Sequence, residues 1–555
     1  MSRLADHLAL TFHSVSANLG YEDFTVPDVS MLTLVITIVS IFLVSKIIYT
    51  HCFGPLSKIP GSIINTVIPT TMLYHVYKET IDLGFYEEHK KYGECVRLGP
   101  NLVSVTNPAD WKRVLMSHKF SKTMTPNITI MGAPNTFTTD DPELNKTRRR
   151  LLKPAYTTTH IAAMEDKILE SGPMSFKRKI DDAIQNRSRD KKPSGAVRIN
   201  YIDWFHYMTF DIIGELAFGQ NFGMLQRGDL MMLDGIKAIN TINSFEIFVP
   251  ILRNFRWLIA PFSLKNVRLV LDFTWDVINK RIQETKNNNG KPVHQDILQV
   301  LIDAVDTETG KKMNKPELVS ENTLQLLGGT DTSSNTLSWT MFLLMVYPEV
   351  YHKVCKEIRT TYPDRSKPIT YTEGLAKLPY LEAILYESMR FKPTSGGGTA
   401  RRVPEGGMML ASGHFIPAGT EIFIPIYSIH HDKKLWKDPH VFYPERFMVN
   451  ENSTEKDVYE RKRNFVVFSS GVRLCPGRNL AWCEMFMTLA NLLRDYDFWL
   501  PEDMPYGPDV IDEETGQPKI IPSRMAITIA PRYPQRDGWI CVKHNTDYLM
   551  TTFAH

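Results

Sequence analysis

Residues 31–49 read M-L-T-L-V-I-T-I-V-S-I-F-L-V-S-K-I-I-Y, 19 positions with one charge, Lys46, near the end. The stretch has no polar face, so it predicts a helix that is apolar all round. At about 1.5 Å per residue it spans roughly 28 Å, close to the hydrocarbon thickness of a bilayer. Residues 53–61, F-G-P-L-S-K-I-P-G, set two prolines and two glycines where that helix must stop. Further on, apolar positions recur mostly at helical spacing, over 145–156, 202–219, 264–284, 318–345, 381–391 and 476–496. Short strand patterns flank Gly99-Pro100-Asn101 within 94–106 and recur at 407–410 and 421–425, while 185–195 and 286–295 are polar and read as loops. The pattern predicts a mainly α fold with a small β-rich lobe, preceded by one N-terminal transmembrane helix.

Charge orients that helix. Asp6, Glu22, Asp23 and Asp28 outweigh Arg3 before the span, and Lys46, Lys58 and Lys78 follow it. The positive-inside rule then puts the bulk of the chain in the cytosol. The expected organisation is a lumenal segment 1–30, a transmembrane helix 31–49, a Pro/Gly hinge 50–61, a catalytic domain 62–540 and a tail 541–555 without an assigned role. The 64 Lys+Arg against 61 Asp+Glu leave only +3, too even for a nucleic-acid footprint. Six cysteines, Cys52, Cys95, Cys355, Cys475, Cys483 and Cys541, are scattered without a C-x-x-C pair, as in a chain folded in a reducing compartment. A zinc site is not expected, and any chemically active cysteine acts alone.

Phe468 to Arg478, F-S-S-G-V-R-L-C-P-G-R, carries the strongest chemical signal. A thiolate metal ligand needs a dry pocket and backbone donors. Gly471 permits a tight turn, Phe468 offers an apolar cover, Arg473 offers a cation, and Pro476 suits a first helical position. Cys475 then lies at the N-terminus of a helix through 479–493, where the dipole favours a negative sulfur. The segment resembles the cysteine-ligand loop of the cytochrome P450 superfamily, F-x-x-G-x-R-x-C-x-G, at Phe468, Gly471, Arg473, Cys475 and Gly477. The resemblance implies the P450 fold over about 55–540 and haem b with Cys475 as its axial ligand.

Other segments extend the resemblance. Glu387 and Arg390 in Y-E-S-M-R, with Arg446 in F-Y-P-E-R-F, resemble the family's structural triad beneath the haem. L-L-G-G-T-D-T-S-S places Gly328-Gly329 in a helix, where glycine costs about 1 kcal/mol and a local kink is expected. It resembles the family's oxygen-activation motif, which implies that Asp331 and Thr332 route protons. Arg149, Arg401 and Arg473 fall where the family holds the haem propionates. Asn145 stands where the family usually has Trp or His, so its contact with a propionate is left open. W-F-H-Y-M-T-F-D-I-I-G-E-L-A-F-G (Trp204 to Gly219) resembles fungal microsomal members, which implies the endoplasmic reticulum.

The implied activity is R–H + O2 + 2e− + 2H+ → R–OH + H2O. No G-x-G-x-x-G sits between a strand and a helix, so no NADPH or flavin is expected on this chain. The resemblance implies NADPH-cytochrome P450 reductase as electron donor, with cytochrome b5 as a second donor it allows. Arg461, Lys462, Arg463 and Arg478 are candidates for its docking face. Two other functions weighed are a thiolate-haem isomerase or dehydratase and a non-catalytic haem sensor or lipid-binding protein; the acid–Thr pair argues against both. Met124, Ile128, Met131 and Phe137 are expected to roof an apolar distal pocket, with Gly328 and Gly397 also lining it. If the run Gly396–Gly398 faces the cavity, its missing side chains leave room for a wide steroid- or terpenoid-like substrate; a turn requiring φ > 0 is the other reading.

Overall fold

The computed structural model describes residues 31–124, 130–188, 196–228, 231–259 and 261–545. Ile128 of the expected pocket, the segment 1–30 and residues 546–555 lie outside them. Two compact units divide after Ser57. In the first, α1 (Met31–Ile48) continues as a π turn through Phe53 and ends at Gly54, just before Pro55. The first positions of the expected hinge, 50–53, are therefore helical. Thr33–Phe53 is long and apolar enough to cross a membrane.

The second unit is mostly helical. The helices that frame the site are α2 (Thr70–Lys78), α3 (Pro142–Leu152), α4 (Tyr201–Phe218), α5 (Met231–Phe248), α6 (Pro261–Asn287), α7 (Lys315–Val346), α8 (Pro379–Phe391) and α9 (Arg478–Asp495). The longest is α7, 32 residues, opened by a capping box between Asn314 and Glu317. It runs unbroken through Gly328-Gly329, so the glycines do not interrupt it as expected. The reason is packing against α4, α8 and α9, which outweighs the helix cost of two glycines. Gly329 is the contact point: a Cβ there would stand 2.8 Å from Ile213 Cδ1 of α4.

The β1–β2 hairpin (Cys95–Gly99, Leu102–Val105) forms where the Gly-Pro-Asn turn predicts it. It belongs to a four-stranded sheet of order β1-β2-β7-β4, completed by β4 (Thr399–Arg402) and β7 (Glu421–Ile424). Here β2 and β7 are parallel, and the other pairs are antiparallel. The short β5 (Met408–Met409) pairs with β6 (Phe415–Ile416). A second sheet sets β11 (Trp539–His544) between β3 (Val197–Asn200) and β8 (Tyr496–Trp499). Positions 541–544 are thus a central strand rather than tail, because their backbone pairs on both sides. A hairpin of β9 (Ser523–Met525) and β10 (Ile529–Pro531) lies against α7, where Trp339 Nε1 donates to the Ile529 carbonyl at 3.1 Å.

Glu387, Arg390 and Arg446 meet in the buried core. Both Glu387 oxygens accept from Arg390, at 2.7 and 2.8 Å, and Oε1 also accepts from Arg446 Nε at 3.1 Å. The remaining guanidinium hydrogens reach the carbonyls of His430, Pro439, Val441, Lys437 and Asp438. A buried charge triad with its donors satisfied positions segments 430–441 on α8; removing the carboxylate would leave two buried cations.

Candidate active site

The Cys475 loop is built on a left-handed glycine. Gly471 has φ +63°, and a Cβ there would lie 2.4 Å from the Leu115 carbonyl oxygen, so no other residue fits the turn. The Cys475 N–H closes the loop onto the Phe468 carbonyl at 2.8 Å. Helix α9 begins at Arg478 with Gly477 as its N-cap, so Pro476 precedes the helix instead of occupying its first position. That shift leaves the N–H groups of Gly477 and Arg478 free to donate to the Cys475 sulfur. Burial raises the thiol pKa, while these donors and the Arg149 and Arg478 charges act against it. Arg149 Nη1 also donates to the Leu474 carbonyl at 2.8 Å.

Arg149, Arg401 and Arg473 lie near enough to act on one another electrostatically, with a fourth cation the sequence reading missed. Lys122 lies opposite Arg401 in an antiparallel bridge, and Thr123 N–H donates to the Ala400 carbonyl at 3.2 Å. Only that register brings Lys122 to the site; its local sequence gives no signal. Lys122 Nζ donates to the Phe137 carbonyl at 2.7 Å. Arg473 Nη1 reaches the Thr136 carbonyl at 3.4 Å, and Arg401 Nη1 reaches Thr399 Oγ1 and the Ala400 carbonyl. Burial, then mutual repulsion, pulls Arg401 down to about 9 and Arg473 to about 10, and holds Lys122 well below the usual lysine range. Among the described residues none of the four has a carboxylate partner in an ion pair. Two buried and two half-buried cations whose hydrogen bonds go to carbonyls and one hydroxyl make a site for an anionic group, and the two propionates of haem fit that demand. Cys475, Gly477, Gly471 and Phe468 would hold the other side of such a group.

Asn145 is fully buried, and its Nδ2 donates to the Thr136 carbonyl at 3.1 Å. Thr136 in turn donates from N–H and hydroxyl to Glu321 Oε1 at 2.7 and 2.9 Å. The amide thus braces the loop that Arg473 grips, through the carbonyl both share.

Asp331 and Thr332 leave α7 in different directions. The Thr332 hydroxyl donates to the Gly328 carbonyl at 2.5 Å, and a Cβ on Gly328 would meet open space. Asp331 turns to α4 and α5, where Oδ2 accepts from Asn240 Nδ2 and Oδ1 lies 3.9 Å from His206 Nε2. Burial raises the Asp331 pKa. A second buried acid flanks the same turn: Glu484 of α9 takes the hydroxyl of Ser333 and is pushed up to about 8 by burial. Sequence reasoning passed over Glu484, which carries no motif beyond an acid at an otherwise apolar helix position.

The expected pocket walls divide. Met124 is half-buried with φ +65°, and Phe137 is half-exposed with the Lys122 ammonium 3.7 Å from its ring centroid. Met131 is buried and packs into the core beside Asn135. The glycine run does not widen the cavity. A Cβ on Gly397 would stand 1.7 Å from Met525 Cε, one on Gly396 2.3 Å from Ile529 Cδ1, and one on Gly398, φ +97°, 2.0 Å from the Ile424 carbonyl. The β9–β10 hairpin fills the space, so these glycines serve backbone conformation and close packing.

Of the expected docking cations, Arg461 is tied inward to the Arg446 carbonyl and Ser453, and Lys462 lies 3.7 Å from Glu382. Arg463 pairs with Glu460 at 3.2 Å. Arg478 lines a cavity of about 660 Å³ beside Cys475, together with the exposed Lys153.

A cysteine at a helix N-terminus, backbone donors on its sulfur and a cluster of four cations suit a haem-thiolate group. The cytochrome P450 family model matches residues 65–514, and the chain belongs to that family. It is 32% identical over 514 residues to cytochrome P450 monooxygenase helB3 of Aspergillus fumigatus, covering 92% of this chain and 97% of that one. It is 29% identical over 500 residues to cytochrome P450 monooxygenase apf7 of Gibberella fujikuroi, covering 87% and 93%. Among solved structures, the cytochrome P450DA heme domain matches with a TM-score of 0.71 at 19% identity, over 88% of this chain and 98% of that one. The protein is a cytochrome P450 monooxygenase.

Proposed function

We propose that this monooxygenase hydroxylates a lipophilic small molecule taken from a membrane, with haem b ligated by Cys475 and electrons from NADPH-cytochrome P450 reductase. The bound haem thiolate supplies dioxygen activation and the transfer of one oxygen atom to carbon. The chain's own residues supply the rest. Lys122, Arg149, Arg401 and Arg473 neutralise the propionates, Gly477 and Arg478 hold negative charge on sulfur, and Asp331 and Thr332 move protons from the protein to the open face at Gly328.

The observation that carries the membrane reading is an apolar surface on the catalytic unit itself. Ile63, Ile64, Tyr74 and Tyr77 are exposed around α2; Ile251, Trp257 and Leu258 are exposed between α5 and α6, and Phe262 at the start of α6 is 86% exposed. Helices α2 and α5 are in contact, and the second group follows α5 in the chain. Exposed apolar clusters of this size suit a lipid surface, and α1 adds a span. We place the enzyme in the endoplasmic reticulum membrane with the catalytic unit cytosolic. The glycine run lends no support to a wide substrate; a steroid or terpenoid skeleton is the first class to screen on apolarity and membrane access alone. The exposed Lys153 and the half-buried Arg478 beside Cys475 are the favoured contacts for the reductase; cytochrome b5 would meet the same face.

Two measurements test the reading. Protein lacking residues 1–50 should still float with anionic liposomes, and Trp257→Glu with Phe262→Glu should release it; flotation unchanged by both substitutions would overturn the surface assignment. Reductase-driven NADPH consumption should rise with a lipophilic ligand that shifts the haem spectrum, and Lys153→Glu should lower it several-fold; equal rates in both proteins would remove Lys153 from the docking face.

A further inference from the structure

Asp331 accepts from one amide and faces one imidazole, on two different helices. Asn240 of α5 holds Oδ2, and His206 of α4 presents Nε2 to Oδ1 at 3.9 Å. The other imidazole nitrogen is committed: His206 Nδ1 sits 2.9 Å from the Ile202 carbonyl, which can only accept, so Nδ1 carries a proton. Nε2 is therefore either a bare lone pair or a second N–H. A bare lone pair opposite a carboxylate oxygen repels it, so this geometry is favourable when the pair holds one further proton, on nitrogen or on oxygen.

The two side chains are nearly buried, 16% exposed for His206 and 14% for Asp331. Burial disfavours the charged form of each, and each charge moderates the shift of the other. The charged groups around them are few: Asp203 on α4, Lys237 on α5 and Arg524 on β9. Lys237 is half-exposed and Arg524 one-third exposed. Neither makes a direct contact with Asp331, which leaves the imidazole as the one titratable group facing the carboxylate among the described residues.

We propose that His206 is a positioning residue for oxygen activation, the port through which Asp331 is recharged with protons from the α4 side. Imidazolium Nε2–H gives its proton to Asp331 Oδ1, leaving neutral imidazole and a carboxylic acid. The acid then releases that proton toward Thr332, and the imidazole is reprotonated from solvent at the same Nε2, its one vacant nitrogen. No electrons move in this relay, and its two passages per turnover match the two protons the monooxygenase reaction consumes. At 3.9 Å the transfer requires either a closure of about 1 Å to reach hydrogen-bond distance or one bridging water. The inference rests on the proposed proton role of Asp331.

The test uses full-length, haem-loaded enzyme in lipid nanodiscs. Hydrogen–deuterium exchange at the His206 ring carbon, read by mass spectrometry over a pH series, reports its titration without turnover. Asp331→Asn should lower the His206 midpoint by about one pH unit, the shift expected on losing an adjacent carboxylate; an unmoved midpoint would overturn the pairing. Product formed per NADPH, followed against pH, provides the second reading. His206→Gln, which keeps a polar side chain and cannot carry a proton, should lower that ratio several-fold and flatten its pH profile, with hydrogen peroxide rising to match. His206→Lys should restore part of the loss. If Asp331→Asn leaves the ratio intact, the role of Asp331 itself fails. If it lowers the ratio and His206→Gln does not, only the port fails.

Discussion

Arg149 donates a hydrogen bond to the carbonyl oxygen of Leu474, 2.8 Å away, and so ties helix α3 to the residue immediately before Cys475. Arg149→Met removes a charge-assisted bond worth about 1.5–3 kcal/mol and leaves a carbonyl unpaired. Haem should then dissociate at least about tenfold faster, measured by transfer to apomyoglobin, with Arg149→Lys intermediate. An unchanged off-rate would show that this bond does not set haem retention.

Met525 occupies the notch that Gly397 leaves. Gly397→Ala should destabilise by about 1–3 kcal/mol through overpacking, and Met525→Ala, which empties the notch, should cancel part of that cost. A double-mutant cycle by thermal or denaturant unfolding should return a coupling of about 1 kcal/mol or more. Additive effects would show that the two side chains do not share the space. Because the notch is filled, Gly397→Val should impair polycyclic and linear substrates alike.

The helical skeleton and the thiolate loop were legible because each lies in a continuous segment. Apolar periodicity gives α4, α7, α8 and α9 within a few residues, and Phe468 to Gly477 spells its own turn. Contacts between distant segments were not legible. Lys122 reaches Arg401 only through a strand bridge, Met525 reaches Gly397 across 128 positions of chain, and His206 reaches Asp331 through the packing of α4 on α7. Two local expectations also gave way. Packing keeps the hydrogen-bond pattern of α7 continuous through its glycines, and α9 starts two residues later because Gly477 caps it.

Thr332→Ala removes the only side-chain hydroxyl bonded to the Gly328 carbonyl among the described residues. NADPH should still be consumed, with product per NADPH falling several-fold and hydrogen peroxide rising. Unchanged coupling would take Thr332 out of the proton route.

Glu484 has its pKa raised from about 4.5 to about 8 by burial, with Ser333 as its hydrogen-bond partner. The folded state therefore holds this proton more tightly than the unfolded chain. The stabilisation is complete below about pH 4.5 and is lost as pH rises from there through about 8, at about 1.4 kcal/mol per unit and on the order of a few kcal/mol in all. Glu484→Gln keeps an acceptor for Ser333 and has no charge to bury. Its melting temperature relative to the wild type should rise across that window, and a constant difference between pH 5 and 8 would show that Glu484 does not titrate there.

Every role proposed for this site depends on the sulfur of Cys475 as the iron ligand, and the absorption spectrum of the dithionite-reduced, carbon monoxide-bound enzyme tests that ligation directly. The wild-type protein should show the strongly red-shifted Soret band of a thiolate-ligated haem, and so should variants with serine at each of the other five cysteines, Cys52, Cys95, Cys355, Cys483 and Cys541. Cys475→Ser alone should abolish that band. A thiolate-type band persisting in Cys475→Ser, or vanishing with a different cysteine, would contradict the assignment of Cys475 as the iron ligand.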